Sequence, residues 1–254
     1  MPTGPTPTRS TASPETWLST EMTIQAIIFD FDGTLIDTET PDYRSWQEVF
    51  RSHGAELDLA TWVQVIGRAD GVFDMVEYLR QLVGRPISGD VATRRRQRFY
   101  RLVAREPLRP GVAAYLEEAV RMGLRLGVAT SSGPDWARQI LADRGLLHHF
   151  HCIKTAADVA EAKPHPQLYL DACAALGCAP RHAIAIEDSP NGALAALRAG
   201  LFTVVVPNPM TANLPFPPVH LRLDSLADLP LSRLVERAAA VAHEPSPPFL
   251  RGEA

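Results

Sequence analysis

The segment IIFDFDGTL, at residues 27–35, decides the fold of this chain. A mostly apolar run of strand length begins at residue 24 and ends at residue 29, and a polar turn that contains a glycine follows it. This order predicts a buried strand whose carboxyl end carries Asp30 and Asp32. The segment therefore predicts a strand and, directly after it, the position of two acids.

Short apolar runs recur along the chain and alternate with helix-length patterns. The runs lie at residues 124–129, 183–186 and 202–206, with a weaker one at 152–154. The helical patterns lie at residues 112–122, 135–144, 166–176 and 190–199. Strands that are buried on both faces and separated by helices form parallel sheets, so the alternation predicts an α/β fold with a doubly wound, Rossmann-like sheet.

The interval 37–108 interrupts this alternation because it contains helical patterns and no convincing strand. The patterns lie at residues 43–52, 59–66, 71–82 and 91–103. We predict a helical cap at 37–108, inserted into an α/β core made of residues 22–36 and 109–243. A final helix at residues 225–242 is expected to close the core.

The two ends of the chain have compositions that favour disorder. Pro, Thr and Ser dominate residues 2–20, which predicts a disordered extension at 1–21 and makes Met22 an alternative start. A flexible tail is predicted at 244–254 in the same way.

The overall composition is typical of a globular protein and names no macromolecular partner. Of the 254 residues, 46% are hydrophobic, and the formal net charge of −4 gives no reason to expect binding to nucleic acid or to an anionic membrane. No stretch approaches the roughly 20 apolar residues of a membrane-spanning helix. Three cysteines without a CxxC pair argue against a disulfide framework and fit a reducing cytosol, so we predict a cytoplasmic protein. The composition does not indicate an oligomeric state, and we take a monomer as the default.

Polar residues follow three of the predicted strands at the point where each strand ends. They are Asp30 with Asp32, Thr130 with Ser131, and Glu187 with Asp188. In an open parallel sheet, ligands bind in the crevice beyond the carboxyl ends of the strands, so these side chains are expected to meet there. Only two of the 25 basic residues are lysines, Lys154 and Lys163, which makes each lysine more informative than usual.

These residues suit the transfer of a phosphoryl group. A carboxylate on a tight turn can attack phosphorus, and a second one two residues later can move the proton. Thr130, Ser131 and Lys163 can bind the remaining phosphoryl oxygens and balance their charge. Mg²⁺ prefers hard oxygen ligands and needs only a few from the protein. Four groups could supply these oxygen ligands: Asp30, the carbonyl of Asp32, Asp188 and Glu187.

Four segments in order resemble the motifs of the haloacid dehalogenase-like hydrolases: DFDGTL, the strand-end Thr130, Lys163 in AKPHP, and Glu187-Asp188 in IEDSPNG. The resemblance implies that Asp30 is the nucleophile and Asp32 the acid/base residue. It also implies that Thr130 and Lys163 hold the phosphate and that Asp30, Asp32 and Asp188 bind magnesium. The helical insertion is similar to the C1-type cap of subfamily I.

Within the predicted cap, Arg68 and a run of five arginines lead to different predictions about contact with a ligand. Arg68 sits between two helical patterns, where related enzymes insert a specificity loop, and it is a candidate for contact with substrate. Arg94, Arg95, Arg96, Arg98 and Arg101 resemble a nucleic-acid patch, but such a run on a helix is usually a solvated face.

The resemblance leaves several activities to separate. A second acid at Asp32 favours phosphoryl transfer over dehalogenation, and the absence of any lysine before Lys154 argues against phosphonate hydrolysis, which requires a cap lysine. A β-phosphoglucomutase-like enzyme is the main alternative. In that family a histidine twelve positions after the nucleophile restrains the acid/base residue, and here that position is Asp42, which favours hydrolysis.

The sequence therefore predicts a phosphatase that acts on a small phosphate monoester, such as a sugar or polyol phosphate. A phospho-accepting module similar to a receiver domain is an alternative of another class. Asp32 and the large insertion oppose it, because a module without a small substrate needs neither. A degenerate protein that binds a phosphate ester is the third possibility, although no catalytic position is missing.

Overall fold

The computed structural model describes residues 24–63 and 73–242. Within these residues, six strands form one parallel sheet in the order β3-β2-β1-β4-β5-β6. The strands are β1 (Ala26–Phe29), β2 (Arg125–Ala129), β3 (Cys152–Lys154), β4 (Ala183–Glu187), β5 (Phe202–Val205) and β6 (Leu221–Arg222). The prediction of an α/β fold with a doubly wound parallel sheet is confirmed.

Helices cover both faces of this sheet and fill the interval between β1 and β2. Within the described part of residues 37–108, the helices of the insertion are α1 (Glu39–Ser52), α2 (Leu59–Val63), α3 (Met75–Val83) and α4 (Val91–Val103). The remaining helices are α5 (Val112–Arg121), α6 (Pro134–Asp143), α7 (Gln167–Leu176), α8 (Pro190–Ala199) and α9 (Leu231–Ala242).

The core has two apolar layers, one on each face of the sheet. Side chains alternate along β1, so Ile27 and Phe29 join one buried cluster while Ala26 and Ile28 join the other. The helices α1 to α3 form a third cluster, which contains Phe50, Leu57, Trp62, Met75 and Leu79. The helical insertion therefore has an apolar core separate from the two layers of the sheet.

The register of the central strand sets the position of the polar residues that follow it. Phe29 lies opposite Val128 of β2 on one side and opposite Ile186 of β4 on the other. Asp30, the next residue, is consequently level with the last residue of β4. The carboxyl ends of the strands therefore bring the predicted acids to one edge of the sheet.

Two helix starts differ from the sequence prediction and one strand was not predicted, each for an identifiable reason. Helix α1 begins at Glu39, four residues earlier than predicted, because Pro41 is tolerated in the first turn, where a backbone N–H has no helical partner. The closing helix begins only at Leu231, directly after Pro230, and a 3-10 turn at Leu226–Asp228 precedes it. Strand β6 has two residues, too few for a periodic pattern.

Several sequence predictions fall outside the described residues. They concern the extension at 1–21, the tail at 244–254, and Arg68. Among the described residues, no helix is both long enough and apolar enough to cross a membrane.

Candidate active site

Asp30 lies at the carboxyl end of the central strand and is almost completely buried. Its backbone N–H donates to the carbonyl of Ile186 at 2.9 Å, which fixes the turn to the neighbouring strand, and 7% of the residue is exposed. One carboxylate oxygen accepts a hydrogen bond from Lys163 at 2.5 Å. The structure thus brings together the two residues that the sequence analysis named as nucleophile and phosphate ligand.

Lys163 bridges two buried acids. Its ammonium lies 2.5 Å from Asp30 Oδ1 and 2.6 Å from Glu187 Oε1, and 5% of its side chain is exposed. The same ammonium lies 5.1 Å from the centre of the Tyr169 ring, within the range of a cation–π contact. A lysine so enclosed acts as a fixed point charge at the end of β1.

Glu187 accepts hydrogen bonds from several groups around it. Besides Lys163, the hydroxyl of Tyr169 donates to it at 2.6 Å and the hydroxyl of Ser189 at 3.2 Å. A Cβ atom at Gly192 would lie 2.0 Å from Glu187 Oε1, so a larger residue there would displace the carboxylate. Glu187 is thus held in place chiefly as the partner of Lys163.

Asp188 is held from the opposite side of the site. The hydroxyl of Thr34 donates to Oδ1 at 3.1 Å and the amide of Asn208 donates to Oδ2 at 2.6 Å. Gly33 has a φ of +79°, and a Cβ there would lie 2.2 Å from Asp188 Oδ2. Glycine at this position both permits the turn and leaves room for the carboxylate.

Arg109 joins the turn after β1 to the loop after β5. Its guanidinium donates to the carbonyls of Gly33 at 2.6 Å, Val206 at 2.7 Å and Pro207 at 2.7 Å. Burial lowers the pKa of Arg109, and the nearby carboxylates of Asp188 and Asp37 oppose that effect. Sequence reasoning missed this residue because arginine is common along the chain.

The buried acids disturb one another's ionisation. Burial, opposed by Lys163 and reinforced by Glu187, raises the pKa of Asp30 to about 7. Burial also raises the pKa of Asp188, and Asp30 and Glu187 add to the shift. For Lys163 burial acts to lower the pKa, but the two carboxylates outweigh it, so its pKa is raised and the residue stays charged.

Asp32 is fixed by three donors from two parts of the chain. Thr38 donates its hydroxyl to Oδ1 at 2.9 Å and Trp136 donates its indole N–H to Oδ1 at 2.8 Å. Ser132 donates its hydroxyl to Oδ2 at 2.5 Å. Thr38 occupies the N-cap position of α1 but makes no capping bond with its side chain. Its hydroxyl is used for Asp32 instead.

The second strand end carries a polar side chain that the sequence analysis did not name, besides Thr130 and Ser131. Thr130 is buried, and its hydroxyl accepts a hydrogen bond from the backbone N–H of Ser132 at 3.0 Å. Ser131, which we named with Thr130 as a phosphate ligand, is exposed in the turn after β2. Ser132, which we did not name, is the hydroxyl that reaches Asp32.

Glu39 is a further acid at the site that sequence reasoning missed. Burial, reinforced by Asp32, Asp37 and Asp30 in that order, raises the pKa of Glu39 to about 8. Its position directly after the DFDGTLIDT segment could have served as a signal, since the turn before it had already been assigned to the site.

A divalent cation fits the acidic cluster. Asp30, Glu187 and Asp188 are all buried, and each offers a carboxylate oxygen such that the three lie within 4.8 Å of one another. Three carboxylates face a single ammonium, so the cluster has an excess of negative charge when ionised. Carboxylate oxygens are the ligands that Mg²⁺ prefers, which makes this donor set suitable for that ion.

A cavity of about 380 Å³ lies beside the residues that hold Asp188. Thr34, Arg109 and Asn208 line it, whereas Asp30 and Asp32 do not. Because Asp30 and Asp32 do not line this space, we take the edge of the sheet, and not the cavity, as the candidate active site.

Comparison with known proteins decides the family. The model of the haloacid dehalogenase-like hydrolases matches residues 24–200, which is more than half of the chain. The chain belongs to the haloacid dehalogenase-like hydrolases. It is 45% identical over 214 residues to YhcW of Bacillus subtilis (strain 168), which carries a phosphatase name, and the match covers 84% of this chain and 97% of that protein.

The names of two further relatives of this chain indicate phosphatase activity or phosphate binding in those proteins. Hexitol phosphatase B of Escherichia coli (strain K12) is 35% identical over 216 residues, covering 84% of this chain and 97% of the relative. The crystal structure of CbbY from Rhodobacter sphaeroides in complex with phosphate is 32% identical, with a TM-score of 0.65, and covers 81% of this chain and 96% of that one. The chain is a phosphoric monoester hydrolase of the family.

Proposed function

We propose that this hydrolase is a Mg²⁺-dependent phosphatase that cleaves a small sugar or polyol phosphate through an aspartyl-phosphate on Asp30. The observation that carries the proposal is the contact between Asp30 and Lys163 at the end of β1, inside a cluster of buried acids. A carboxylate held there by a fixed cation is positioned to receive a phosphoryl group.

In the first step, a carboxylate oxygen of Asp30 attacks phosphorus and the bond from phosphorus to the ester oxygen breaks. Asp32 gives its proton to the departing oxygen, so the alcohol leaves as a neutral molecule. Lys163 and Thr130 balance charge on the phosphoryl oxygens that are not involved in bond exchange.

In the second step, water attacks the aspartyl-phosphate and releases inorganic phosphate from Asp30. Asp32 takes the proton of the water and returns to the state in which it began. Asp30 and Asp188, with the carbonyl of Asp32, would hold Mg²⁺, and Glu187 keeps Lys163 in position beside them. Bound there, Mg²⁺ would offset negative charge on the phosphoryl group.

The substrate class rests on the relatives. One is named as a hexitol phosphatase, and one structure of a CbbY mutant contains xylulose-(1,5)bisphosphate. A hexitol phosphate and xylulose-(1,5)bisphosphate are both phosphorylated polyhydroxy chains. We propose that residues 37–108 act as a cap over such a substrate, and that Arg68, which lies outside the described residues, contacts it.

Hydrolysis is favoured over a mutase reaction by the surroundings of position 42. Asp42 forms an ion pair with Arg95 of α4 and is therefore not available to the acid/base residue. Asp32 depends instead on Thr38, Ser132 and Trp136. A mutase would instead need a site that returns the phosphoryl group from Asp30 to a second sugar.

A panel of phosphate esters tests the proposal. Purified protein is assayed for release of inorganic phosphate from hexitol, pentulose and hexose phosphates, with Mg²⁺ and with EDTA, beside Asp30→Asn as the control. We expect release that depends on Mg²⁺ and is lost in Asp30→Asn. Release equal to that of the variant on every ester would reject phosphatase activity. Isomerisation of a hexose phosphate that needs a bisphosphate activator would establish the mutase instead.

A further inference from the structure

Trp136 connects the acid/base residue of the core to a helix of the insertion. On one side, its indole N–H donates to Asp32 Oδ1 at 2.8 Å. On the other, the ring stacks on Phe99 of α4, with centroids 5.1 Å apart and planes inclined by 24°. Tyr100, also on α4, approaches the same ring with a centroid distance of 5.2 Å.

The aromatic contact continues into the insertion. The guanidinium of Arg95 lies 5.3 Å from the centre of the Phe99 ring and 4.7 Å from the centre of the Trp46 ring. Arg95 also forms the ion pair with Asp42 of α1, and its side chain is 14% exposed. A continuous set of contacts thus runs from α1 through α4 to Trp136.

The Trp136 ring is held from two sides, because it packs against the apolar layer of the sheet that contains Phe29 and also stacks on Phe99 of α4. Trp136 stands at the third position of α6, in the turn that follows β2, and is only half-buried. The stacked face of Phe99 supplies a contact that α6 itself does not. Without the contact from α4, only the core layer would hold the ring, so the donor to Asp32 would be less firmly fixed.

We propose that Trp136 is a positioning residue for Asp32, and that helix α4 holds it in place through Phe99. The proposal rests on the proposed function, because it needs Asp32 to act as the acid that protonates the departing oxygen. Thr38 and Ser132 also donate to Asp32, so the part of its orientation that comes from Trp136 depends on the contact between α4 and α6.

Leaving-group dependence separates this role from a structural one. Phenyl phosphate and p-nitrophenyl phosphate have similar shapes but differ in leaving group. The p-nitrophenolate anion departs readily without a proton, whereas phenolate is a poorer leaving group and benefits from protonation. The ratio of their kcat/KM values therefore reports proton donation by Asp32. Since kcat/KM covers the steps up to formation of the aspartyl-phosphate, slow release of phosphate does not mask the effect.

Three variants are compared by that ratio. Trp136→Phe keeps a ring for the stack and removes the N–H, and Phe99→Leu keeps the N–H and removes the stacked ring. Trp62→Phe is the matched control, because Trp62 is buried in the insertion and its indole N–H has no hydrogen-bond partner among the described residues. Circular dichroism and urea unfolding establish that each variant is folded.

We expect Trp136→Phe to lose about 10-fold in kcat/KM on phenyl phosphate while it retains most activity on p-nitrophenyl phosphate. Phe99→Leu is expected to show the same selective loss to a smaller degree, and Trp62→Phe none. An equal loss on both esters, or a gain on phenyl phosphate, overturns the role of Trp136. An unchanged ratio in Phe99→Leu overturns the part assigned to α4.

Asp32→Asn makes the two failures distinguishable. If this variant also leaves the ratio unchanged, Asp32 is not the proton donor and the proposed function is wrong at that step. If it loses activity selectively on phenyl phosphate while Trp136→Phe does not, the acid is correctly assigned and the positioning by Trp136 is rejected.

Discussion

The ammonium of Lys163 lies 2.5 Å from the carboxylate of Asp30, although the two residues are 133 positions apart in the chain. Both side chains are buried, so the pair exists in a medium where an unmatched charge is costly. Glu187 shares the same ammonium and gives it a second anionic partner. Lys163 is therefore the positive centre around which the acids of the site are arranged.

Removal of that charge is expected to impair catalysis strongly. We predict that Lys163→Met lowers kcat/KM by about 10²- to 10³-fold, because the phosphoryl oxygens lose a fixed cation in a water-poor site. Steady-state kinetics on the preferred phosphate ester measure the loss.

The chain contains a natural control for this substitution, because Lys154 is its only other lysine. Lys154 forms no ion pair within the described part of the chain, and Lys154→Met is expected to retain activity within about twofold. Equal losses in the two variants would mean that general charge, and not the position beside Asp30, is responsible.

Asp188 provides a test of the metal site that does not depend on activity. We predict that Mg²⁺ at about 100 times its Kd raises the Tm of the wild-type protein by roughly 5–10 °C, since a ligand that binds only the folded state stabilises it. In Asp188→Asn the increase is expected to be mostly lost. Differential scanning calorimetry with and without EDTA measures the increase for each variant against its own metal-free state.

Asp143→Asn is the control for that experiment, because Asp143 is exposed on α6, away from the buried cluster. Its response to Mg²⁺ should equal that of the wild type. If Asp188→Asn responds as strongly as the wild type, Asp188 does not hold the ion.

The acids of the site could be predicted because a simple geometric rule locates them. Residues that follow strands of a parallel sheet meet at one edge, so Asp30, Glu187 and Asp188 were identifiable from short apolar runs alone. Lys163 was identifiable because the segment AKPHP resembles a motif of the family and because lysine is rare in this chain. Neither inference required knowledge of how the helices pack.

The hydrogen-bond partners of those acids could not be predicted, because their positions depend on tertiary packing and not on the hydrophobic pattern. Whether Trp136 and Ser132 reach Asp32 depends on the turn between β2 and α6, which the hydrophobic pattern does not specify. Arg109 and Asn208 come from loops without any periodicity. A side chain that acts through its tertiary surroundings leaves no mark in spacing along the chain.

Gly33 is expected to be intolerant of any side chain. Gly33→Ala places a Cβ 2.2 Å from Asp188 Oδ2 at a residue with φ of +79°, so both backbone strain and a clash with the carboxylate follow. We predict a loss of unfolding free energy about 1–3 kcal/mol larger than strain alone would cause, together with loss of activity. Urea unfolding and steady-state kinetics measure the two effects.

Gly54 separates strain from the clash, because it has the same φ of +79° and a Cβ there would meet nothing within 4 Å. Gly54→Ala is expected to cost only about 1–2 kcal/mol of stability and to leave activity intact. Similar stability losses in both variants would show that the turn adjusts and that Asp188 does not require glycine at position 33.

Glu39 makes the stability of the metal-free protein depend on pH. Burial and the neighbouring acids raise its pKa in the folded state from 4.5 to about 8, so between about pH 5 and 8 the folded protein retains a proton that the unfolded chain releases. The free energy of unfolding therefore falls as pH rises through this window. Glu39→Gln removes this titration, and the variant should gain stability relative to the wild type as pH increases, by up to about 1.4 kcal/mol per pH unit.

Urea unfolding at several pH values in EDTA measures this difference, with Glu117→Gln as the control because Glu117 is exposed on α5. The titration of Asp30 lowers stability over a similar range in all three proteins, since burial raises its pKa to about 7, so only the difference between proteins is informative. Parallel pH profiles for the wild type and Glu39→Gln would contradict the raised pKa of Glu39. A selective gain for Glu39→Gln at high pH would establish that this acid is protonated beside Asp32 in the metal-free protein.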